Sequence, residues 1–271
     1  MQTNLFSVKD KVIILTGGSG ILGSCMAKHL AKEEAVVVIL DRNEPAGNEL
    51  ALAINENGGK ALFIYTDVLD RQLLEANAKT IRNTFGGIHV LINLAGGNMP
   101  GATIPPDKTF FDLDIEAFRK VVDLNLFGTV IPTMVFAQMM VEQRKGSIIN
   151  ISSESALRPL TRVIGYGTAK AAINNFTQSM AGELAIKFGE GLRVNAIAPG
   201  FFLTEQNRTL MTNPDGTPSD RCKTVIAHTP FRRLGRPDEL LGTVQYLASD
   251  ASAFVTGTVI PVDGGFDAFS I

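Results

Sequence analysis

Residues 12–23 read Val-Ile-Ile-Leu-Thr-Gly-Gly-Ser-Gly-Ile-Leu-Gly. The apolar run Val12 to Thr16 is typical of a buried strand, and glycines follow it at positions 17, 18, 20 and 23. Glycines at this place permit a tight turn and let backbone amides at the start of a helix approach a pyrophosphate. The stretch therefore predicts a strand, a phosphate-binding turn and a helix, the opening unit of a dinucleotide-binding α/β fold.

Short apolar runs alternate with longer stretches of helical period along the rest of the chain, which is typical of repeated βα units. The predicted strands are Val12 to Thr16, Val36 to Leu40, Ala61 to Thr66, His89 to Asn93, Ser147 to Ile151, Arg193 to Ala198 and Val259 to Val262. The predicted helices are Ile21 to Lys32, Pro45 to Asn57, Arg71 to Phe85, Ile115 to Gln143, Gly165 to Phe188 and Pro237 to Ala248. We therefore predict a single-domain Rossmann fold of class α/β: a doubly wound seven-stranded parallel sheet with helices on both faces and its ligand at the carboxyl ends of the strands.

Length and composition bound the remaining possibilities. The 271 residues contain no linker-like tract, which favours one domain over residues 1–271. A formal charge of -2 gives no basic field that would attract nucleic acid. Cys25 and Cys222 do not form a metal-spaced cluster, so we expect no metal site.

The sequence also gives no sign of export or of a membrane span. Met1 to Asp10 lacks the apolar core of a signal peptide. The most hydrophobic long segment, Val121 to Met140, is interrupted by Asp123, Asn125 and Gln138. We expect a cytoplasmic protein without a membrane partner.

Two proline-containing segments interrupt the alternation of strands and helices, near residues 96–112 and 201–234. Both follow strands at the expected ligand edge. We interpret them as irregular loops that cover a substrate, because long loops in compact domains are often functional. Ordinary surface connections are the alternative.

A carboxylate, Asp41, ends the second predicted strand. It lies about 20 residues beyond the glycine turn, where it can accept hydrogen bonds from the ribose hydroxyls of NAD and would repel the 2′-phosphate of NADP. The neighbouring Arg42 could pair with that phosphate. The two residues together favour NAD, with NADP as the weaker alternative.

A possible catalytic group lies in the second half of the chain. Tyr166 and Lys170 are four residues apart and so share one helix face, and Ser153 lies thirteen residues before the tyrosine. A tyrosine has a reference pKa of about 10, so catalysis near neutrality calls for a positive charge that lowers it, which Lys170 could supply. Ser153 could bind a substrate oxygen; strand alternation sends only one of Ser152 and Ser153 to the cleft, and the spacing selects Ser153. The group predicts hydride transfer with a nicotinamide cofactor.

These motifs resemble the short-chain dehydrogenase/reductase family over almost the whole chain. The matching positions are the glycine turn, Asp67-Val68, Asn93-x-Ala95-Gly96, Asn125, Ser153, Tyr166-x-x-x-Lys170, Pro199-Gly200 with Thr204, and Val262-Asp263-Gly264-Gly265. One position departs from the family pattern, because the middle glycine lies one place early, at Gly20, and Ile21 occupies its usual position. A slightly shifted phosphate loop is therefore expected.

The resemblance implies roles for residues that the chemistry above does not assign. It implies that Asn125 positions a water beside Lys170, which completes a catalytic set of Ser153, Tyr166, Lys170 and Asn125. It also implies that Lys170 binds the nicotinamide ribose and that the chain forms a homotetramer. The implied cofactor site consists of Gly17, Gly18, Ser19, Gly20, Ile21, Leu22, Asp41, Arg42, Asp67, Val68, Asn93, Ala95, Gly96, Tyr166, Lys170, Pro199, Gly200 and Thr204.

Within the family, four segments resemble the D-mannonate oxidoreductase branch, which interconverts D-fructuronate and D-mannonate. They are residues 95–100, 199–208, 228–230 and 261–270. A sugar acid needs donors for its carboxylate and hydroxyls. The candidate substrate residues are Asn98, Glu154, Arg158, Arg162, Gln206, Asn207 and Arg208. The alternatives are a sugar or polyol dehydrogenase, a 3-oxoacyl-thioester reductase, or a nicotinamide-binding regulator or scaffold without turnover.

Overall fold

The computed structural model describes residues 4–269, apart from the side chains of Glu205, Gln206 and Thr209. Seven strands form one parallel sheet in the order β3-β2-β1-β4-β5-β6-β7. Their bounds are β1 Val12–Thr16, β2 Val36–Asp41, β3 Lys60–Tyr65, β4 Val90–Asn93, β5 Gly146–Ile151, β6 Leu192–Pro199 and β7 Val259–Val262. The predicted fold class is confirmed, and the predicted strand bounds differ from these by at most one residue at either end.

The central strands of the sheet are buried on both faces, as continuous apolar strands require. Ile13 and Leu15 of β1 pack on one side with the helices at residues 21–32 and 241–248, whereas Val12 and Ile14 pack on the other with those at 71–85, 128–143 and 164–188. The helices are α1 Ile21–Lys32, α2 Glu44–Glu56, α3 Arg71–Phe85, α4 Ile115–Val122, α5 Gly128–Gln143, α6 Ile164–Phe188, α7 Glu205–Met211, α8 Asp220–His228 and α9 Leu241–Ala248. Because the strands are parallel, all their carboxyl ends lie at one edge of the sheet.

The predicted helix Ile115 to Gln143 is interrupted. A π-helical turn, Asp123–Phe127, separates α4 from α5. The Asn125 amide donates to the carbonyl of Val121 at 2.8 Å, and this side-chain bond occupies a carbonyl that a regular α-helix would offer to a backbone N–H. Such turns are frequent at functional sites, and helical periodicity does not predict them.

The segment 201–234 is not wholly irregular, so that part of the prediction is wrong. It contains α7 and α8, which are short helices with side-chain caps: Thr204 and Asn207 form a capping box on α7, and the Ser219 hydroxyl accepts the amide of Cys222 on α8. Helices of this length give a weak periodic signal. The segment 96–112 has only two 3-10 turns, Pro100–Ala102 and Phe110–Asp112.

By length and composition, the stretch Ile115–Gln143 is apolar enough to cross a membrane. Of its most apolar window, 56% is buried inside the fold, where α5 packs against α3, β4 and β5. Core helices of globular domains have the same properties.

Candidate active site

A cavity of about 490 Å³ opens at the carboxyl ends of β1, β2, β4, β5 and β6. One part of its wall comes from the turn after β1 and the end of β2, and the opposite part comes from the segments after β5 and β6. The predicted site residues that line it are Gly17, Ser19, Gly20, Ile21, Leu22, Asp41, Arg42, Val68, Ala95, Gly96, Asn98, Ser153, Glu154, Tyr166, Lys170, Pro199, Gly200, Thr204 and Asn207. Residues from distant parts of the sequence therefore converge on one space.

Ser153, Tyr166 and Lys170 lie together on the wall of this cavity. Ser153 follows β5, and Tyr166 and Lys170 lie on the first turns of α6. The Tyr166 hydroxyl shares a hydrogen bond with Ser153. The Nζ atom of Lys170 lies 5.6 Å from the centre of the Tyr166 ring and donates to the carbonyl of Ile151 at 2.7 Å. The predicted serine, tyrosine and lysine thus form one contiguous group.

Burial dominates the electrostatics of this group. Desolvation raises the pKa of Tyr166, and the hydrogen bond from Ser153 opposes the rise. Desolvation also lowers the pKa of Lys170 to about 7, because the residue is 4% exposed and no described carboxylate offsets its burial. The predicted lowering of the tyrosine pKa by Lys170 is not found here, since a lysine that is partly neutral near pH 7 is a weak source of positive charge.

The two adjacent serines have different surroundings. Ser152 is 2% exposed, and its hydroxyl donates to Oδ1 of Asn174, a residue of α6, at 2.5 Å. Ser153 instead accepts the amide of Ser155 at 3.2 Å and hydrogen-bonds Tyr166. The structure therefore brings Ser153, and not the Ser152 hydroxyl, to the tyrosine.

Asn125 is fully buried at the π-helical turn, beside Lys170. Its side chain is fixed by the backbone of Gly97, which donates to Asn125 Oδ1 at 3.0 Å and accepts from Asn125 Nδ2 at 2.7 Å. A Cβ atom at Gly96 would stand 2.6 Å from Asn125 Oδ1 and 3.3 Å from Lys170 Nζ. The asparagine and the lysine therefore flank the same glycine.

The turn after β1 fits a pyrophosphate. Gly17 has a φ of +65°, and a Cβ atom there would stand 2.9 Å from the Cα atom of Ala95. Helix α1 begins after Gly20 without a side-chain cap and without an acidic residue in its first turn, so its first amides face the cavity unpaired by side chains. A helix end of this kind attracts a phosphate. Helix α1 starts at Ile21, as predicted, and Gly20 is its N-cap residue.

Asp41 and Arg42 stand at the far end of the cavity, at the end of β2. Asp41 accepts the amides of Ser19 at 3.1 Å and Asn43 at 3.0 Å, which directs its carboxylate toward the glycine turn. The Arg42 guanidinium lies 3.7 Å from Asp67, and its side chain is 60% exposed. The carboxylate of Asp67 therefore holds this arginine only loosely.

Three predicted cofactor residues do not line the cavity. Gly18 packs against Leu15 and Ile39. Asp67 pairs with Arg42 and accepts the amide of Leu69. Asn93 is buried, and its amide donates to Thr133 and Asn150 at 2.9 Å each. Their strand-end positions suit turn and core roles, which sequence position alone does not separate from ligand contact.

At the end of the cavity near Ser153, several polar side chains are already engaged. Asn98 donates to Thr103 Oγ1 at 2.7 Å, and Asn207 bonds the backbone of Thr204 and Phe202. Glu154 is 1% exposed, and neither of its carboxyl oxygens has a hydrogen-bond partner. Burial and the nearby carboxylates of Asp263 and Asp267 raise the pKa of Glu154 to about 8, so its carboxyl is largely protonated at pH 7.

The arginines predicted to bind the substrate do not line the cavity. Arg158 pairs with Asp267 at 2.8 Å, and Arg162 donates to the carbonyl of Ile104 at 2.7 Å. Arg208 is exposed on α7. The Gln206 side chain lies outside the described part of the chain. Besides Arg42, the described arginine that lines the cavity is Arg221 of α8, which the sequence reasoning missed because it lies in a segment predicted to be irregular.

Thr16 and Met211 are among the other residues of this region that the sequence reasoning did not name. The Thr16 hydroxyl accepts the amides of Leu94 at 3.1 Å and Ala95 at 3.2 Å, and so joins the glycine turn to the segment after β4. Met211 of α7 lines the cavity mouth. Thr16 lies within the motif that opens the sequence, and its position at the end of β1 was the available signal. Within residues 4–269, we find no group of His, Cys, Asp or Glu side chains that could hold a metal ion.

Comparison with known proteins agrees with this geometry. The family model for short chain dehydrogenase matches residues 11–215. The uncharacterized oxidoreductase UxuB of Bacillus subtilis (strain 168) is 45% identical over 274 residues, covering 97% of each chain.

Two solved structures are similar over nearly their whole length. One, from Haemophilus influenza, is provisionally named a D-mannonate oxidoreductase and contains bound NAD; it is 42% identical with a TM-score of 0.91, covering 98% of this chain and 99% of the other. The second is a gluconate 5-dehydrogenase from Burkholderia cenocepacia J2315 in complex with NADP and tartrate; it is 29% identical with a TM-score of 0.88, covering 98% of this chain and 99% of the other. The chain belongs to the short-chain dehydrogenase family, whose members are oxidoreductases that bind a nicotinamide cofactor.

Proposed function

We propose that this protein is an NAD(H)-dependent oxidoreductase that interconverts a ketone and a secondary alcohol on a sugar acid, with D-fructuronate and D-mannonate as the substrate pair. The observation that carries the proposal is the grouping of Ser153, Tyr166 and Lys170 on the wall of a cavity that also holds the glycine turn and Asp41. A donor serine and a tyrosine acid beside a cofactor site suit proton transfer coupled to hydride transfer.

The nicotinamide cofactor, when bound, supplies or accepts the hydride. The Ser153 hydroxyl donates a hydrogen bond to the substrate oxygen and so holds the carbonyl group in place. The Tyr166 hydroxyl gives its proton to that oxygen in reduction and takes it back in oxidation. Lys170 stabilises the tyrosinate when its own amine is protonated, and Asn125 holds a water that connects Lys170 with solvent.

The proposed cofactor contacts follow the cavity wall. Gly17 and residues 19 to 22 hold the pyrophosphate, and Asp41 accepts hydrogen bonds from the adenosine ribose, which favours NAD over NADP. Val68, Ala95 and Gly96 line the adenosine half of the cavity. Thr204 and the Pro199-Gly200 turn hold the carboxamide of the nicotinamide.

The sugar-acid assignment has two supports. The similar structure from Haemophilus influenza carries the name D-mannonate oxidoreductase, and the gluconate 5-dehydrogenase acts on a related acid. The cavity near Ser153 also offers several polar groups, among them Asn98, Glu154 and Asn207. Polar groups at a few fixed positions are what a polyhydroxylated ligand requires.

The proposal includes a homotetramer in the cytoplasm. Large apolar side chains remain exposed on α4, α5 and α6, including Ile115, Met134 and Ile186. Exposed apolar side chains are frequent at subunit interfaces. Light scattering of the purified protein measures the subunit number directly.

The test is a substrate panel assayed by NADH and NADPH absorbance, containing D-fructuronate, its epimer D-tagaturonate, neutral ketoses and an acetoacetyl thioester. We expect rapid NADH oxidation with D-fructuronate and slower reaction elsewhere. Turnover of a neutral ketose or the thioester alone would reassign the substrate. Binding of NADH without turnover of any compound would favour a regulator or scaffold.

A further inference from the structure

Arg221 is the cation at the end of the cavity where the substrate is expected. Among the described residues that line the cavity, the positive charges are Arg42, Lys170 and Arg221. Arg42 lies at the end of β2, and the Lys170 amine donates a hydrogen bond to the carbonyl of Ile151. Arg221 lies in the segment after β6, and β6 is the direct neighbour of β5, which leads into Ser153. Four strand spacings, about 20 Å in all, separate β6 from β2.

The Arg221 side chain reaches from α8 to the loop before α6. Its guanidinium donates to Thr161 Oγ1 at 3.2 Å and to the Thr161 carbonyl at 3.3 Å. These are long bonds to neutral acceptors, and the side chain is half-buried. Leu160 and Val163, on either side of this loop segment, line the cavity. The guanidinium therefore joins α8 to the chain that leads into the helix of Tyr166.

Arg221 has no anionic partner in the described part of the chain. The ion pairs of α8 involve Lys223 and Asp220, not Arg221. Desolvation and the like charge of Arg162 lower the pKa of Arg221, so the surroundings disfavour this charge until an anion compensates for it. A half-buried guanidinium on a cavity wall without a carboxylate suits a bound anion, which it can contact through two N–H groups.

Glu154 follows the catalytic serine in the sequence and repels a bound anion only weakly at neutral pH. Glu154 is largely protonated at pH 7, because burial and the carboxylates of Asp263 and Asp267 disfavour its charge. The charge of Arg158 lowers the pKa of Glu154, but Arg158 is paired with Asp267. Among the described residues that line the cavity, the other carboxylate is that of Asp41, at the end of β2.

We infer that Arg221 binds the carboxylate of the substrate and thereby selects anionic substrates over neutral ones of the same size. The inference rests on the proposed function for the identity of the substrate, and it adds a specificity residue from α8 that family resemblance does not supply. Bidentate contact from this side fixes one end of the sugar acid while Ser153 and Tyr166 hold the reacting oxygen. Helix α8 therefore acts as a substrate-recognition element.

The test compares wild type with Arg221→Gln, using D-fructuronate and the neutral ketose D-fructose with NADH. Loss of a charge-assisted contact lowers kcat/KM for D-fructuronate by about 10- to 100-fold and leaves kcat/KM for D-fructose within about 3-fold. Arg221→Lys keeps the charge but not the planar fork, so it restores only part of the loss. Lys223→Gln, on the same exposed helix, is the matched control and leaves both values unchanged.

A second measurement keeps this inference distinct from the substrate proposal. Calorimetry measures binding of D-gluconate, as a carboxylate probe, to each protein with NADH present. If wild type does not reduce D-fructuronate but binds D-gluconate, and Arg221→Gln does not bind it, the substrate proposal fails and the carboxylate site stands. Equal D-fructuronate kinetics or equal D-gluconate binding in wild type and Arg221→Gln overturns the role of Arg221, as does wild type that does not bind D-gluconate.

Discussion

The Nζ atom of Lys170 lies 5.6 Å from the centre of the Tyr166 ring and is held at 2.7 Å from the carbonyl of Ile151. Lys170 is buried, at 4% exposed, and its amine lies beside the ring of the proposed acid. Burial acts on the two groups in opposite directions, lowering the pKa of the lysine and raising that of the tyrosine. Both shifts favour the neutral forms, so charge at this site depends strongly on pH.

The first prediction concerns the stability cost of Lys170. Its pKa falls from 10.5 in the unfolded chain to about 7, so the unfolded state binds more protons between these values and stability rises with pH across that window. Lys170→Met removes this titration. The gain in stability of the variant over wild type should be about 3 kcal/mol larger at about pH 6 than at about pH 9.5.

Urea unfolding followed by circular dichroism at about pH 6 and about pH 9.5 measures this difference. Lys187→Met is the control, because Lys187 is an exposed lysine on the same helix, 60% exposed in its pair with Glu183. A Lys170→Met stability difference that is the same at both pH values contradicts the lowered pKa.

Glu154 should show the opposite pH dependence. Its folded pKa of about 8 lies above its ordinary 4.5, so the folded state binds more protons and stability falls as pH rises from 4.5 to 8. Glu154→Gln should therefore raise the free energy of unfolding by about 4 kcal/mol more at about pH 8 than at about pH 4.5. Chemical denaturation at the two pH values gives the comparison, with the exposed Glu183→Gln as a control; no pH dependence would refute the shift.

Asp41 should set the cofactor preference. Its carboxylate faces the glycine turn through Ser19, while the exposed Arg42 lies next to it. Asp41→Asn removes the charge that repels a 2′-phosphate and leaves Arg42 to attract it, so the ratio of kcat/KM for NADPH to that for NADH should rise by about 10-fold or more. Adding Arg42→Gln should cancel most of that rise. An unchanged ratio of kcat/KM for NADPH to that for NADH in Asp41→Asn would show that Asp41 does not discriminate between the two cofactors.

The glycines of the turn should not be equivalent. A Cβ atom at Gly23 would stand 2.6 Å from the Gly17 carbonyl oxygen, against backbone that cannot move away cheaply, whereas at Gly20 the nearest atom is 3.5 Å away and φ is −68°. Gly23→Ala should destabilise the fold by about 1–3 kcal/mol, and Gly20→Ala by less than about 1 kcal/mol. Thermal unfolding of the two variants compares them; equal losses would contradict the close approach of α1 to the turn.

Hydrophobic periodicity and end signals predicted the bounds of the strands and helices that depend on local interactions. The strand Val12–Thr16 and the helices Ile21–Lys32 and Arg71–Phe85 have the predicted bounds, because each has strong periodicity and clear end signals. The serine, tyrosine and lysine were found because their spacing and the sheet topology bring them to one edge. The π-helical turn at Asn125 was not predictable, since it depends on a side-chain bond to Val121.

The substrate end was the least predictable part of the site. Arg158 and Arg221 are both arginines in segments near the cleft, and only their partners separate them: Arg158 pairs with Asp267, whereas Arg221 reaches Thr161 and lines the cavity. The pKa of Tyr166 is raised because the side chain is desolvated, and composition does not reveal that desolvation. Long-range packing decides such features.

The most direct test of the central claim is NADH oxidation with D-fructuronate by wild type and Tyr166→Phe, measured together with NADH binding. If Tyr166 is the proton donor, the variant should bind NADH as wild type does and lose catalysis by about 100-fold or more, because only its hydroxyl is removed. Turnover by Tyr166→Phe at the wild-type rate would contradict the proposed mechanism.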